Sequence, residues 1–255
     1  MKALISILLV FVICFCAVGC SDFGDPTLSV NKDDQLDLII EDDTDKNKNE
    51  ESNKEEGPVF DFKSWELRLI NPWNAIPEGF DPELALIDKA YAGFQNAQFD
   101  ARAIDKLHEL CGAAAKDGIK LTVISAYRTN EFQTNNFNRK VQRVMDANPA
   151  LTREQAEVEA AKVVARPGTS EHQVGLAVDF NSVEDSFKNT NEYEWLSANC
   201  YKYGFILRYT AEKQDKTGII PEPWHYRYVG VEAATKIHEE NICLEEFIEK
   251  YNTAE

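Results

Sequence analysis

Apolar side chains fall at residues 103, 104, 107, 110, 111 and 114, spacings of three and four that predict an amphipathic helix closed by Gly118. "IKLTVISAYR" after it is rich in β-branched residues and reads as a strand. A second helix is expected from a cap at Asn130 to about Met145. A third follows Thr152, with Gln155 three residues on to complete a capping box, and is stopped near Pro167. "GLAVDF", "FILRY" and "HYRYVG" read as strands. "EYEWLSANCYKYG", "VEAATKIHEE" and "LEEFIEKY" read as helices, and the alternating "WELRLINP" at 65–72 as a strand ending at Pro72. The elements intermix without regular βαβ alternation and without an internal repeat. This predicts an α+β fold: a small, mostly antiparallel sheet with helices packed on one side.

Composition divides the chain into three. Residues 1–20 carry Lys2, an apolar run to about Val18 and then a small-residue ending, the layout of a signal peptide and short for a membrane span. The ending Ala17-Val18-Gly19-Cys20 resembles a bacterial lipobox, which implies lipidation at Cys20; Ala17 departs from the usual leucine. Residues 21–57 hold 13 acidic against 4 basic side chains, a net charge of −9, and almost no aromatics. Such a segment cannot bury enough apolar surface to offset chain entropy, so a disordered tether is expected. Residues 58–255 form the folded domain, long enough for a sizeable core.

That domain also carries a net charge of −9. An acidic surface argues against nucleic acid, whose phosphates demand basic patches. Cys111, Cys200 and Cys243 are widely spaced and odd in number. They exclude a C-x-x-C zinc site and leave either one disulfide or three free thiols.

The chain has four histidines. His108 and His238 sit among charged neighbours in amphipathic helices and read as ordinary surface residues. His172 and His225 differ. In "TSEHQVGLAVDF" the strand phase places Gly175, Ala177 and Asp179 on one face and Leu176, Val178 and Phe180 on the other, so Asp179 has small neighbours and open space beside it. In "PEPWHYRYVG", Glu222 lies three residues before His225 in a stretch stiffened by two prolines and a tryptophan. Two histidines and a carboxylate make a common catalytic zinc set, and a further carboxylate can act as general base. Spacing alone leaves two readings open, a zinc site or two unrelated histidines.

"SEHQVGLAVD" fits S-x-H-x-x-G-x-A-x-D and "EPWH" fits E-x-W-H. With "SAYRTNEFQ" and "WELRLINPWNAIPEGF", the chain resembles the VanY-type D-alanyl-D-alanine carboxypeptidases over roughly residues 62–245. These belong to the LAS group of zinc peptidases, which includes lysostaphin-like enzymes and hedgehog domains. The resemblance implies Zn2+ held by His172, Asp179 and His225, with Glu222 as catalytic base. It implies that Arg128 and Ser170 contact substrate, Arg128 by holding the terminal carboxylate or the developing oxyanion, and it gives Gln133 a substrate contact too. The implied activity is removal of a C-terminal D-alanine from peptidoglycan stem peptides; the lipobox-like leader adds the expectation of a lipid-anchored, extracytoplasmic enzyme, and a monomer is expected. The rivals are an L,D-carboxypeptidase, a D,D-dipeptidase or an endopeptidase of the same group. A non-catalytic zinc-containing wall-binding lipoprotein, or an adaptor whose acidic tether binds a basic partner, would be of another class.

Overall fold

The computed structural model describes residues 59–252, so the expected leader with Cys20 and the acidic tether lie outside the described residues. Strands β1 (Leu84–Leu86) and β2 (Gln98–Asp100) form an antiparallel pair. Helix α1 (Ile104–Lys116) leads to β3 (Val123–Ser125). Helices α2 (Asn130–Ala147) and α3 (Arg153–Ala161) follow as a hairpin. Then come β4 (Ala177–Phe180), α4 (Asn191–Asn199), β5 (Phe205–Leu207), α5 (Gln214–Thr217), β6 (His225–Tyr228), α6 (Val231–Glu240) and α7 (Leu244–Tyr251). The second sheet runs in the order β3-β4-β6-β5 with every neighbouring pair antiparallel.

Register divides this sheet into two chemically different faces. Ala177 lies opposite Arg227 and Asp179 opposite His225, so these four side chains share a face. Val178, Phe180, Tyr226 and Tyr228 point the other way, into the main core with Leu107, Leu110 and Ala114 of α1 and Leu196 of α4. A separate cluster joins Leu67, Ile206 and Val229 to Ala233, Ile237, Leu244 and Phe247 of α6 and α7. By the register, Ile206 lies opposite Arg227, on the face that carries Asp179. Helices therefore pack on both sides of the sheet, not on one. The site occupies the stretch of the second face that α6 and α7 leave open.

The expected strand at 65–72 is not a strand. Its alternation is real at Leu67 and Leu69, which both pack against the α6–α7 cluster, while Ile70 turns to the main core. Among the described residues, however, no strand lies beside it. The carbonyls of Glu66 and Arg68 accept from the Arg227 guanidinium at 3.0 and 2.8 Å, and the Asn71 side chain accepts from the backbone of Trp73 and Asn74 and turns the chain. The β1–β2 pair is absent from the sequence reading, since three-residue strands leave no periodic signal. The strand expected at 119–128 shrinks to three residues, with a register irregularity between Val123 and Ser125. Thr129, not Asn130, caps α2, accepting from Phe132 N at 3.1 Å, while Thr152 and Gln155 form the expected capping box. The helix expected to end at Gly204 is α4 followed by a separate 3-10 turn, Cys200–Tyr203. All three described cysteines are free and buried.

Candidate metal centre

His172 sits in a 3-10 turn, Glu171–Val174, that leads directly into β4. Gly175 ends the turn at φ +75°, a conformation that disfavours other residues. A Cβ there would lie 3.0 Å from Leu84 Cδ2 and 3.3 Å from Asp100 N. Arg128 N donates to the His172 carbonyl at 3.1 Å, and His172 Nδ1 donates to the Ala126 carbonyl at 2.8 Å. With Nδ1 carrying the proton, Nε2 presents its lone pair toward Asp179 Oδ2, 3.4 Å away. Burial and the neighbouring Arg128 push His172 down to about 4, which keeps the imidazole neutral.

His225 opens β6 directly opposite Asp179. Its Nδ1 lies 3.2 Å from Asp179 Oδ1 and 3.6 Å from Glu222 Oε2, while Nε2 faces Glu171 Oε2 at 3.3 Å. The two imidazoles stand perpendicular, 4.9 Å between centroids. Burial opposes charge on His225, yet Asp179 and Glu171 together raise it to about 9, so a metal ligand at Nδ1 must displace a proton. Burial likewise opposes charge on Asp179, but His172, His225 and Arg128 hold it well below the usual carboxylate range.

His172, Asp179 and His225 each offer a ligand atom within 4.8 Å of the others, and all three are buried. Asp179 Oδ1 is shielded from solvent, and its polar neighbour His225 Nδ1, 3.2 Å away, is not aligned for a hydrogen bond, so among the described residues no hydrogen bond reaches it. A buried carboxylate oxygen without a donor is costly, and a cation there would satisfy it. Two imidazoles and one carboxylate, each already held in position, fit a zinc ion.

The sequence reading missed what lies behind His225. Glu171 Oε1 accepts from Arg208 Nε at 2.8 Å and Arg227 Nη1 at 3.0 Å, all three side chains being fully buried. Arg208 also binds Glu245 through two nitrogens at 2.6 and 2.8 Å, and Glu245 takes Asn71 Nδ2 at 3.0 Å. Burial alone would raise the Glu171 carboxyl, but the two guanidiniums outweigh it and keep it ionised. Glu171 is thus a fixed acceptor that orients His225, the role that partners of metal-binding histidines commonly fill. Its one sequence signal was a charged residue next to His172.

A groove of about 450 Å3 opens over the cluster, lined in part by Arg128, Ser170, Tyr209, Glu222 and Trp224. Glu222 is buried, and burial pushes it up to about 7 against the pull of His225. The Arg128 guanidinium holds Ser125 Oγ and Asp179 Oδ2, at 2.8 and 2.9 Å from Nη2, and stays partly exposed to the groove. Gln133 does not line this groove. It is fully buried, with Nε2 donating to the Ala165 carbonyl at 2.7 Å and Oε1 facing Arg128 Nη1 at 3.5 Å, which places it behind Arg128. Tyr209, whose ring lies 4.8 Å from that of His225, completes the wall and was not anticipated.

A family model described as VanY, D-alanyl-D-alanine carboxypeptidase, matches residues 96–231. The chain is 43% identical over 195 residues to a D-alanyl-D-alanine carboxypeptidase of Enterococcus faecalis, covering 76% of this chain and 69% of that protein. It is similar to a vancomycin-resistance D,D-pentapeptidase VanY of a VanB-type cassette solved with Zn(II). The TM-score is 0.63 at 43% identity, covering 72% of this chain and 99% of the other. It is also similar to VanYB in complex with D-alanine-D-alanine, at TM-score 0.64 and 43% identity, covering 75% and 100%.

Proposed function

The chain belongs to the VanY family of D-alanyl-D-alanine carboxypeptidases, and from that premise we propose that it is a zinc carboxypeptidase releasing the terminal D-alanine from peptidoglycan stem peptides. The single observation that carries this reading is the buried His172–Asp179–His225 cluster with Glu222 beside it in one groove.

His172 Nε2, Asp179 and His225 Nδ1 would hold the zinc. When bound, zinc supplies Lewis acidity, polarising a peptide carbonyl and bringing the pKa of water toward neutrality. Glu222 removes a proton from the attacking water and delivers it to the departing amine. A carboxyl raised to about 7 serves both transfers near neutral pH. Arg128 carries a planar donor fork suited to the terminal carboxylate of the peptide. Gln133 and Ser125 keep that fork in place, and Ser170 offers a hydroxyl at the groove wall. Glu171 holds His225 so that Nδ1, not Nε2, faces the centre.

The leader supports export, and Cys20 supports a lipid anchor with residues 21–57 as a tether that lets a monomeric domain reach the wall from the outer membrane surface. The deciding experiment incubates the protein with stem pentapeptide and tetrapeptide and identifies products by mass. Release of one D-alanine from the pentapeptide is the expected result. Cleavage of the tetrapeptide alone would make it an L,D-carboxypeptidase, and release of a dipeptide a D,D-dipeptidase.

A further inference from the structure

A carboxypeptidase places a single residue on the leaving side of the cleaved bond, so the rest of its groove must receive the acyl side of the peptide. The two terminal D-alanines bring only methyl groups, and charge selectivity for a longer peptide must therefore come from farther along the groove. That groove extends to α2, where Lys140 and Arg143 line it together with the metal-binding cluster. These cations are held by packing. Phe137 and Val141 are buried against Ala156 and Ala160 of α3, which fixes the roll of α2. Lys140 and Arg143 each precede an inward-facing residue, Val141 or Val144, by one position, and so present a neighbouring face about 100° round the helix.

Both cations keep their charge for solvent or ligand. Of the acids of the adjacent helix, Glu157 pairs with Arg153 and Arg166 and Glu159 with Lys162, and the third, Glu154 in the first turn, does not line the groove. Among the described residues neither Lys140 nor Arg143 has an ion-pair partner within salt-bridge distance, in a chain whose net charge is −17. The groove wall also carries Glu184, so the cations of α2 are set apart in charge from that part of the lining.

Resting on the carboxypeptidase reading above, we infer that Lys140 and Arg143 form a subsite for a carboxylate on the acyl side of the substrate, upstream of the cleaved bond. The chemical class it selects is an acidic peptide, in preference to the same peptide with that carboxylate amidated.

The test uses a matched pair of peptides ending in D-Ala-D-Ala, one with a free upstream carboxylate and one with the amide. The readout is the ratio of their kcat/KM values in wild type, K140A/R143A and K140E/R143E. Wild type should favour the acid, and the ratio should fall about tenfold in the alanine variant, the scale of two partly exposed ion pairs, through KM rather than kcat. It should reverse in the glutamate variant. Calorimetry on zinc-loaded Glu222→Gln protein, alone and combined with K140E/R143E, should show the same ranking in affinity. A ratio near one in wild type, or one that neither variant moves while D-alanine is still released, overturns the subsite. If wild type releases D-alanine from neither peptide, the carboxypeptidase reading falls instead, and calorimetry still decides whether α2 prefers the acid.

Discussion

Replacing Glu171 by glutamine preserves the shape of the side chain and removes one negative charge from a fully buried position. In the native protein its Oε1 accepts from Arg208 at 2.8 Å and Arg227 at 3.0 Å, and its Oε2 faces His225 Nε2 at 3.3 Å. An amide cannot satisfy all three. If its oxygen faces the arginines, its NH2 meets the His225 N–H; if it is turned over, the NH2 meets two guanidiniums. Removing one member of a buried ion pair costs about 3–5 kcal/mol. Arg208 keeps Glu245 at 2.6 and 2.8 Å, and Arg227 keeps the carbonyls of Glu66, Arg68 and Tyr228, which places the expected loss at the lower end. A loss of about 3 kcal/mol lowers Tm by about 6–12 °C for a domain of this size. Zinc affinity should fall about 10- to 100-fold, the usual effect of removing a ligand's supporting partner. Urea unfolding of chelator-treated protein, followed by tryptophan fluorescence, measures the first effect without metal linkage, and competition with a chromogenic chelator measures the second. A stability change under about 1 kcal/mol together with unaltered zinc affinity would refute the reasoning, since such a change is ordinary for a surface substitution.

Four further outcomes follow from the geometry. Glu222→Gln should bind zinc stoichiometrically and lose about 10²- to 10⁴-fold in turnover, the range of a general base; D-alanine release at the wild-type rate would remove Glu222 from that role. His172→Ala should purify without stoichiometric zinc, and a full complement by metal analysis would discredit the ligand set. Gly175→Ala forces a side chain into a left-handed conformation and against Leu84 and Asp100, for a loss of about 2 kcal/mol; an unchanged thermal melt would contradict this. Burial pushes the thiols of Cys111 and Cys200 up to about 12, so at pH 8 both are protonated as well as inaccessible. They should resist alkylation in the native state and react once denatured, as read by peptide mapping; rapid native labelling would show the burial to be wrong.

What the chain states locally it states clearly. His172 and Asp179 lie seven residues apart, and Glu222 and His225 three apart, so each half of the centre is a short motif with its own strand or turn. The capping box at Thr152, the phase of residues 175–180 and the helical spacing of α1 are equally short-range, since each depends on neighbours within one or two turns. Which groups would stand behind these motifs is a different kind of question. Glu171, Arg208, Arg227 and Glu245 are separated by 37 or more residues along most of their contacts, and nothing in sequence spacing brings a glutamate beside one histidine together with an arginine on β6 and another just past the end of β5. The register of β4 against β6 does so, by setting Asp179 across from His225 and Ala177 across from Arg227. The same pairing turns His225 so that Nδ1 faces the centre, a choice of nitrogen invisible in the residue name. The stretch 65–72 shows the converse: its alternation is genuine, but a strand needs a partner, and here an arginine side chain takes the backbone carbonyls instead. Ligand identity is a property of side-chain chemistry and survives in one dimension. The fit of the centre depends on desolvation and on distances of about 3 Å between distant segments, and those exist only once the sheet has closed.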